Sequence, residues 1–188
     1  DAQESRGLGD VYKRQGYSGA GKTTLLERLI PALRAQGQRV SVVKHAHHAF
    51  EVDRPGKDSW RHRKAGALEV LVASDTRLAL MREYEQPHEP DCRALVERLD
   101  RSVDWVLVEG FKHGDLPKLE VWRPEVGKPV RYLEDAAVCA VAVPAGAELP
   151  QWPHAGVHRL DLDRVDDIAL WLLQQGRSGA IADWVPGL

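Results

Sequence analysis

Apolar residues recur at spacings of three and four in Leu25, Leu26, Leu29, Ile30 and Leu33, the period of a helix with one buried face. The stripe follows a glycine-rich stretch directly and stops near Gly37, so it predicts a helix whose N-terminus opens on that stretch. Pro31 stands inside the stripe and is expected to remove one hydrogen bond and kink the helix. The other apolar runs are short and continuous. Residues 39–43 read as a strand and 44–59 as a loop. Residues 69–74 and 77–81, split by Asp75-Thr76, read as a hairpin, an antiparallel element added to an otherwise parallel sheet. Prolines 87 and 90 break the chain, and Leu95, Val96 and Leu99 place a helix at about 89–101. Residues 105–108 form a buried strand by length and branching; 117–122 and 138–143 read as further strands. A last helix, about 165–174, buries Ile168, Leu172 and Trp171. Strands alternating with helices predict a doubly wound α/β fold with a mostly parallel sheet and ligand loops at the carboxyl ends of its strands.

The two ends of the chain fall outside this pattern. Residues 1–15 carry only Leu8, Val11 and Tyr12 as sizeable apolar groups, without a strand or helix period. They read as an irregular leader, replacing the apolar strand expected ahead of residue 16. The expected domain runs from 16 to 175, with a loose tail at 176–188 in which Trp184 is either a docking or a packing side chain.

The glycine-rich stretch is Gly16-Tyr17-Ser18-Gly19-Ala20-Gly21-Lys22-Thr23, which satisfies G-x-x-x-x-G-K-[ST], the phosphate-binding loop of P-loop NTPase-like folds. With glycine at about 7% of residues, chance produces this match in fewer than roughly one chain in a hundred of this length. The chemistry needs these residue types. Gly16, Gly19 and Gly21, with the small Ala20, let the backbone curl so that its N–H groups converge on phosphate oxygens, and the helix dipole adds favourable charge there. Lys22 would reach the β and γ phosphates, Thr23 would present its hydroxyl to Mg²⁺, and Thr24 could bond an α-phosphate oxygen.

A second candidate is Glu109, at the carboxyl end of the 105–108 strand. An acidic residue beside a phosphate loop is where nucleotide-hydrolysing folds hold Mg²⁺. Its extra methylene relative to aspartate favours a water-mediated contact or a water-orienting role. Lys22 and Glu109 are thus the catalytic candidates, and Thr23 and Glu109 the metal candidates. No arginine finger can be assigned beside them, so hydrolysis is expected to be slow.

Residues 44–64 hold Lys44, His45, His47, His48, Asp53, Arg54, Lys57, Asp58, Arg61, His62, Arg63 and Lys64. Three readings stand open: a zinc or nickel site on the clustered histidines, a wall for a phosphate-bearing anion, or a solvated charged loop. Composition narrows the classes further. The chain has 188 residues, enough for one core, and no run approaches the roughly 18 to 20 apolar residues of a membrane span. The net charge of -2 supplies no global field for nucleic acid, so an anionic ligand must be held by a local site. Two cysteines, Cys92 and Cys139, make no disulfide framework, and the expected setting is the reducing cytoplasm. There is no asparagine, which closes the N-K-x-D guanine-reading motif to this chain; the base must be read by other groups, with the backbone near 143–146 a candidate.

Four segments together resemble one family: residues 16–26, Val43-Lys44-His45-Ala46-His47-His48, Asp53-Arg54-Pro55-Gly56-Lys57-Asp58-Ser59, and Val108-Glu109-Gly110-Phe111-Lys112. In order and spacing they look like the molybdopterin-guanine dinucleotide biosynthesis accessory protein B family, over roughly residues 16–175. The resemblance implies a cytoplasmic, homodimeric GTP-binding adapter with at most slow GTPase activity, assisting the molybdenum cofactor guanylyltransferase that joins GMP to molybdopterin. It carries nucleotide-binding roles to Gly19, Gly21, Lys22, Thr23 and Thr24, the Mg²⁺-side role to Glu109, and a place on the nucleotide or cofactor side to Asp53, Lys57 and Asp58. Guanine over adenine rests on the resemblance alone. The alternatives are a nickel-delivering metallochaperone GTPase and a small-molecule kinase or ATP-dependent ligase.

Overall fold

A computed structural model describes residues 10–15, 17, 19–46, 50–111 and 116–177. They fall into two compact units, one built from the described residues up to 45 and from 92 onward, the other from those between 46 and 91. The sequence pattern shows no break at 46, and this second unit is a finding of the tertiary structure.

The first unit is a six-stranded sheet in the order β2-β5-β1-β6-β7-β8. Its strands are β1 (Asp10–Gln15), β2 (Val40–Lys44), β5 (Trp105–Glu109), β6 (Lys118–Val121), β7 (Val138–Val143) and β8 (His158–Asp161). Every neighbouring pair is parallel. Helices α1 (Lys22–Ala35), α3 (Cys92–Val96) and α4 (Val165–Arg177) complete it. Along β5, Trp105 and Leu107 face the core formed with Leu25, Leu29 and Leu33 of α1 and Ile168 and Leu172 of α4. Val106 and Val108 alternate to the opposite core with Val43, Val96, Phe111 and Leu116. A strand covered on both faces must be apolar at every position, which is why 105–108 is legible as buried. Each fully buried leucine of α1 contributes about 1.5–3 kcal/mol relative to an exposed one.

The structure differs from the sequence reading in five places. Residues 10–15, expected to be irregular, form β1 in the middle of the sheet. Their backbone pairs with β5 on one side and β6 on the other; main-chain pairing on two sides makes a strand without an apolar pattern. The helix expected at 89–101 is the single turn and a half of α3, because only Val96 of it is buried and the Asp100 carboxylate already accepts the Ser102 N–H in a turn. β8, four residues with no buried position, has no strand signature of its own. The helix α1 runs unbroken past Pro31, whose side chain is exposed. The hairpin is present as β3 (Glu69–Ala73) and β4 (Leu78–Arg82), closed by the Ser74 N–H on the Arg77 carbonyl at 2.8 Å, but it is a separate two-stranded sheet in the second unit. The tail beyond residue 177, with Trp184, lies outside the described residues. Among those described, no helix is long and apolar enough to cross a membrane.

One buried charge ties the fold to the loop at residue 17. Glu120 of β6 is fully buried and accepts the backbone N–H groups of Arg131, at 2.8 and 3.0 Å, and of Tyr132, at 3.0 Å. The guanidinium of Arg131 in turn lies 4.5 Å from the centre of the Tyr17 ring. Burial pushes the Glu120 carboxyl above its ordinary value of 4.5, outweighing the N–H groups that pull it down. A raised carboxyl stabilises the fold fully below the ordinary value and loses that contribution as pH rises through the raised one. Urea denaturation from pH 4.5 to 8 is therefore expected to show wild type losing stability relative to Glu120→Gln, which has no proton to lose. The Gln variant should start about 1–2 kcal/mol lower, since its amide offers one acceptor oxygen to these donors. Parallel profiles in both proteins would remove Glu120 as the source.

Candidate functional site

The glycine-rich loop leads from the carboxyl end of β1 into α1. Gly19 and Gly21 have φ of +84° and +86°, a backbone that side chains with a Cβ rarely adopt, so the tight curl depends on glycine at both. Ala20 is buried beneath it, and its N–H donates to the Tyr17 carbonyl at 3.2 Å. Gly21 is the N-cap of α1, with the Leu25 N–H on its carbonyl at 3.0 Å. The Lys22 ammonium folds back onto the Tyr17 carbonyl at 2.7 Å. Nothing lies within 4 Å of a Cβ placed on Gly19. Gly16 and Ser18 lie outside the described residues.

Across the sheet edge, the Thr23 hydroxyl donates to Glu109 Oε1 at 3.3 Å, and Lys44 Nζ stands 4.0 Å from Glu109 Oε2. The sequence separates Thr23 from Glu109 by 86 positions; the parallel pairing of β1, β2 and β5 puts the carboxyl ends of all three strands on one edge. A hydroxyl and a carboxylate form the hard oxygen donor set that Mg²⁺ takes, and a lysine beside curled backbone N–H groups suits phosphate. The residues present therefore fit a Mg²⁺-nucleotide. Thr24 is exposed at the start of α1.

Beyond Glu109 the chain turns sharply. Gly110 has φ of +95° and Phe111, although not a glycine, +52°. The Phe111 ring is buried and stacks on His45 with ring centres 4.7 Å apart, while the His45 N–H donates to the Glu109 carbonyl at 2.8 Å. A Cβ on Gly110 would stand 2.8 Å from the His45 Cβ. This packing sets the direction in which Glu109 leaves its strand.

Arg123 is a residue that sequence reasoning missed. Its Nε donates to the Ala20 carbonyl at 3.3 Å, and the guanidinium lies against Gly21. It brings a fixed positive charge to the phosphate loop from 103 positions away. The signal that could have found it is its place immediately after the strand read at 117–122, on the ligand edge of the sheet.

Asp53, Lys57 and Asp58 belong to the second unit and the loop residues to the first. Within the second unit, Asp53 is half-buried and its side chain accepts from Arg63 at 2.9 Å; Arg63 also donates to Glu83 at 2.9 Å and to Glu51. These carboxylates, Asp53 first, hold the guanidinium above its usual value. Lys57 is the exposed N-cap residue of α2 (Asp58–Lys64), and Asp58, in its first turn, lies 3.9 Å from Arg61. Among the described residues, no group of three or more His, Cys, Asp or Glu side chains is arranged to hold a metal ion. His47 and His48 lie outside those residues. No disulfide joins Cys92 and Cys139.

Comparison with known proteins gives the family and the fold. The family described as Molybdopterin guanine dinucleotide synthesis protein B matches residues 11–144. A molybdopterin-guanine dinucleotide biosynthesis adapter protein of Haemophilus influenzae is 46% identical over 155 residues, 82% of either chain. One from Escherichia coli strain K12 is 43% identical over 160 residues, 84% of this chain and 88% of that one. Among solved structures, a MobB protein homolog from Bacillus stearothermophilus superposes with a TM-score of 0.63 at 28% identity, covering 89% of this chain and 98% of its own. Bacillus subtilis MobB gives 0.64 at 26% identity, covering 89% and 97%.

Proposed function

The chain belongs to the molybdopterin guanine dinucleotide synthesis protein B family, and from that membership we propose that it is an adapter of molybdopterin-guanine dinucleotide biosynthesis that binds Mg²⁺-GTP and works with the guanylyltransferase. The observation that carries the nucleotide reading is the juxtaposition of Thr23 and Glu109 at 3.3 Å beside a glycine loop closed by Lys22. In this reading the Lys22 ammonium exchanges the Tyr17 carbonyl for phosphate oxygens. Thr23 and Glu109 would hold the metal, and Arg123 would add positive charge at the loop. Mg²⁺ would neutralise phosphate charge. The chain's own residues bind and orient, and the reading includes at most slow hydrolysis, with Glu109 the group that orients water.

Self-association is part of the same proposal. On one face of the hairpin Leu71, Leu78 and Leu80 are exposed together, and neither strand has a second neighbour among the described residues. Isolated two-stranded sheets with an open apolar face gain stability from a further layer or strand.

The test is calorimetric titration with GTP and ATP, each with and without Mg²⁺, followed by co-purification with the guanylyltransferase at the same nucleotide conditions. GTP binding that strengthens with Mg²⁺, together with nucleotide-dependent capture of the transferase, is the expected result. Equal affinity for GTP and ATP would remove the guanine claim, and capture indifferent to nucleotide would remove the link between loop and partner.

A further inference from the structure

Resting on the GTP-binding reading above, we propose that Asp161 reads the guanine base, in a cavity on the same edge of the sheet as the phosphate loop. The cavity has a volume of about 310 Å³ and is lined by the turn from Val143 to Gly146 and by Arg159 and Asp161. The turn leaves the carboxyl end of β7, and Asp161 is the last residue of β8. Only β6 separates β7 from β1, whose end carries the phosphate loop. Asp161 itself stands on β8, three interstrand spacings or about 14 Å from β1, a span for the ribose and phosphates of an extended nucleotide.

The walls are fixed by their own hydrogen bonds. The Leu162 N–H donates to the Val143 carbonyl at 2.8 Å and the Ala147 N–H to the Pro144 carbonyl at 3.1 Å. Arg159 donates to the Ala147 carbonyl at 2.7 Å, which ties the guanidinium to the turn. Asp161 Oδ1 accepts the Asp163 N–H at 2.9 Å, so the carboxylate is held in one orientation with acceptor capacity left on both oxygens. Arg159 and Asp161 are the charged lining residues, and the Asp163 carboxylate accepts the Ala145 N–H at 3.4 Å behind the turn, so the site has no surplus of positive charge. That suits a neutral planar ring better than a second phosphate.

A carboxylate distinguishes bases by donor pattern. Guanine offers N1–H and the 2-amino group side by side, and both can donate to one carboxylate. Adenine presents a lone pair at N1, which a carboxylate repels. Hypoxanthine keeps N1–H and lacks the amino group, and xanthine replaces it with a carbonyl. The chain has no asparagine, so no N-K-x-D motif competes for this role. Asp161 supplies the same acceptor pair from a different strand end.

Wild type and Asp161→Asn would be titrated calorimetrically with GTP, ITP, ATP and XTP in Mg²⁺. The asparagine oxygen can still accept the Asp163 N–H, and a thermal melt checks that the variant is folded; Asp161→Ala, checked in the same way, serves as a second variant. Wild type is expected to prefer GTP over ITP by ~10-fold and over ATP by ~100-fold or more. Asp161→Asn should lose most of the GTP affinity and gain in XTP, whose 2-carbonyl accepts from the new amide. Asp161→Ala should bind the four nucleotides within a few-fold of one another. GTP preference unchanged in folded Asp161→Asn and Asp161→Ala would overturn the assignment while leaving GTP binding intact. Failure of wild type to bind any of the four would overturn the GTP reading itself and Asp161 with it.

Discussion

Lys22→Ala is expected to abolish GTP binding, weakening it at least ~100-fold, while leaving the protein folded. The ammonium is partly buried and donates to the Tyr17 carbonyl at 2.7 Å, so removing it costs the fold about 1–2 kcal/mol. In the nucleotide complex the same group would face phosphate oxygens inside a curled backbone. Charge-assisted bonds there contribute about 3 kcal/mol, which is the ~100-fold loss. Calorimetry and a thermal melt on the same sample separate the two effects. Wild-type GTP affinity in this variant would end the phosphate-loop assignment, and a collapsed melt would show that Lys22 is structural.

Gly110→Ala is expected to be the most destabilising single-methyl change near the site, by about 3 kcal/mol. A methyl group there stands 2.8 Å from the His45 Cβ and 3.1 Å from the His45 carbonyl oxygen, neither of which belongs to the flexible end of a side chain. The φ of +95° adds backbone strain for any residue with a Cβ. Either β2 or the turn at Phe111 must shift, and Glu109 shifts with it, so Mg²⁺-dependent GTP binding should fall as well. Gly127→Ala is the control. It has φ of +63° with nothing within 4 Å of the added methyl, and should cost about 1 kcal/mol. Equal losses by urea denaturation would show that strain alone, and not the His45 contact, sets the cost.

Much of the site was legible along the chain because its determinants are local. The loop from Gly16 to Thr24 and the helix after it are specified by glycines and an apolar period within one stretch of sequence. Glu109 announces itself by ending a run of four buried residues. Arg123 and Asp161 do not. Each matters through the strand end on which it sits, and the order β1-β6-β7-β8 that brings those ends beside the loop is written in no single segment.

The same division explains β1 and the second unit. Side-chain pattern reads Asp10–Gln15 as irregular, yet two neighbouring strands supply backbone partners on both sides. The hairpin is visible in its alternating runs, but whether it joins the parallel sheet or stands apart depends on which edges are open, a property of the assembled chain. Sequence alone determined the α/β class, the phosphate loop with Lys22 and Thr23, and the acidic strand end at Glu109, since each follows from residue type and short-range spacing. Tertiary structure decided that Thr23 meets Glu109, that Arg123 covers Gly21, and that a cavity opens at Asp161, because parallel pairing gathers distant strand ends on one edge and only packing fixes what lies next to what.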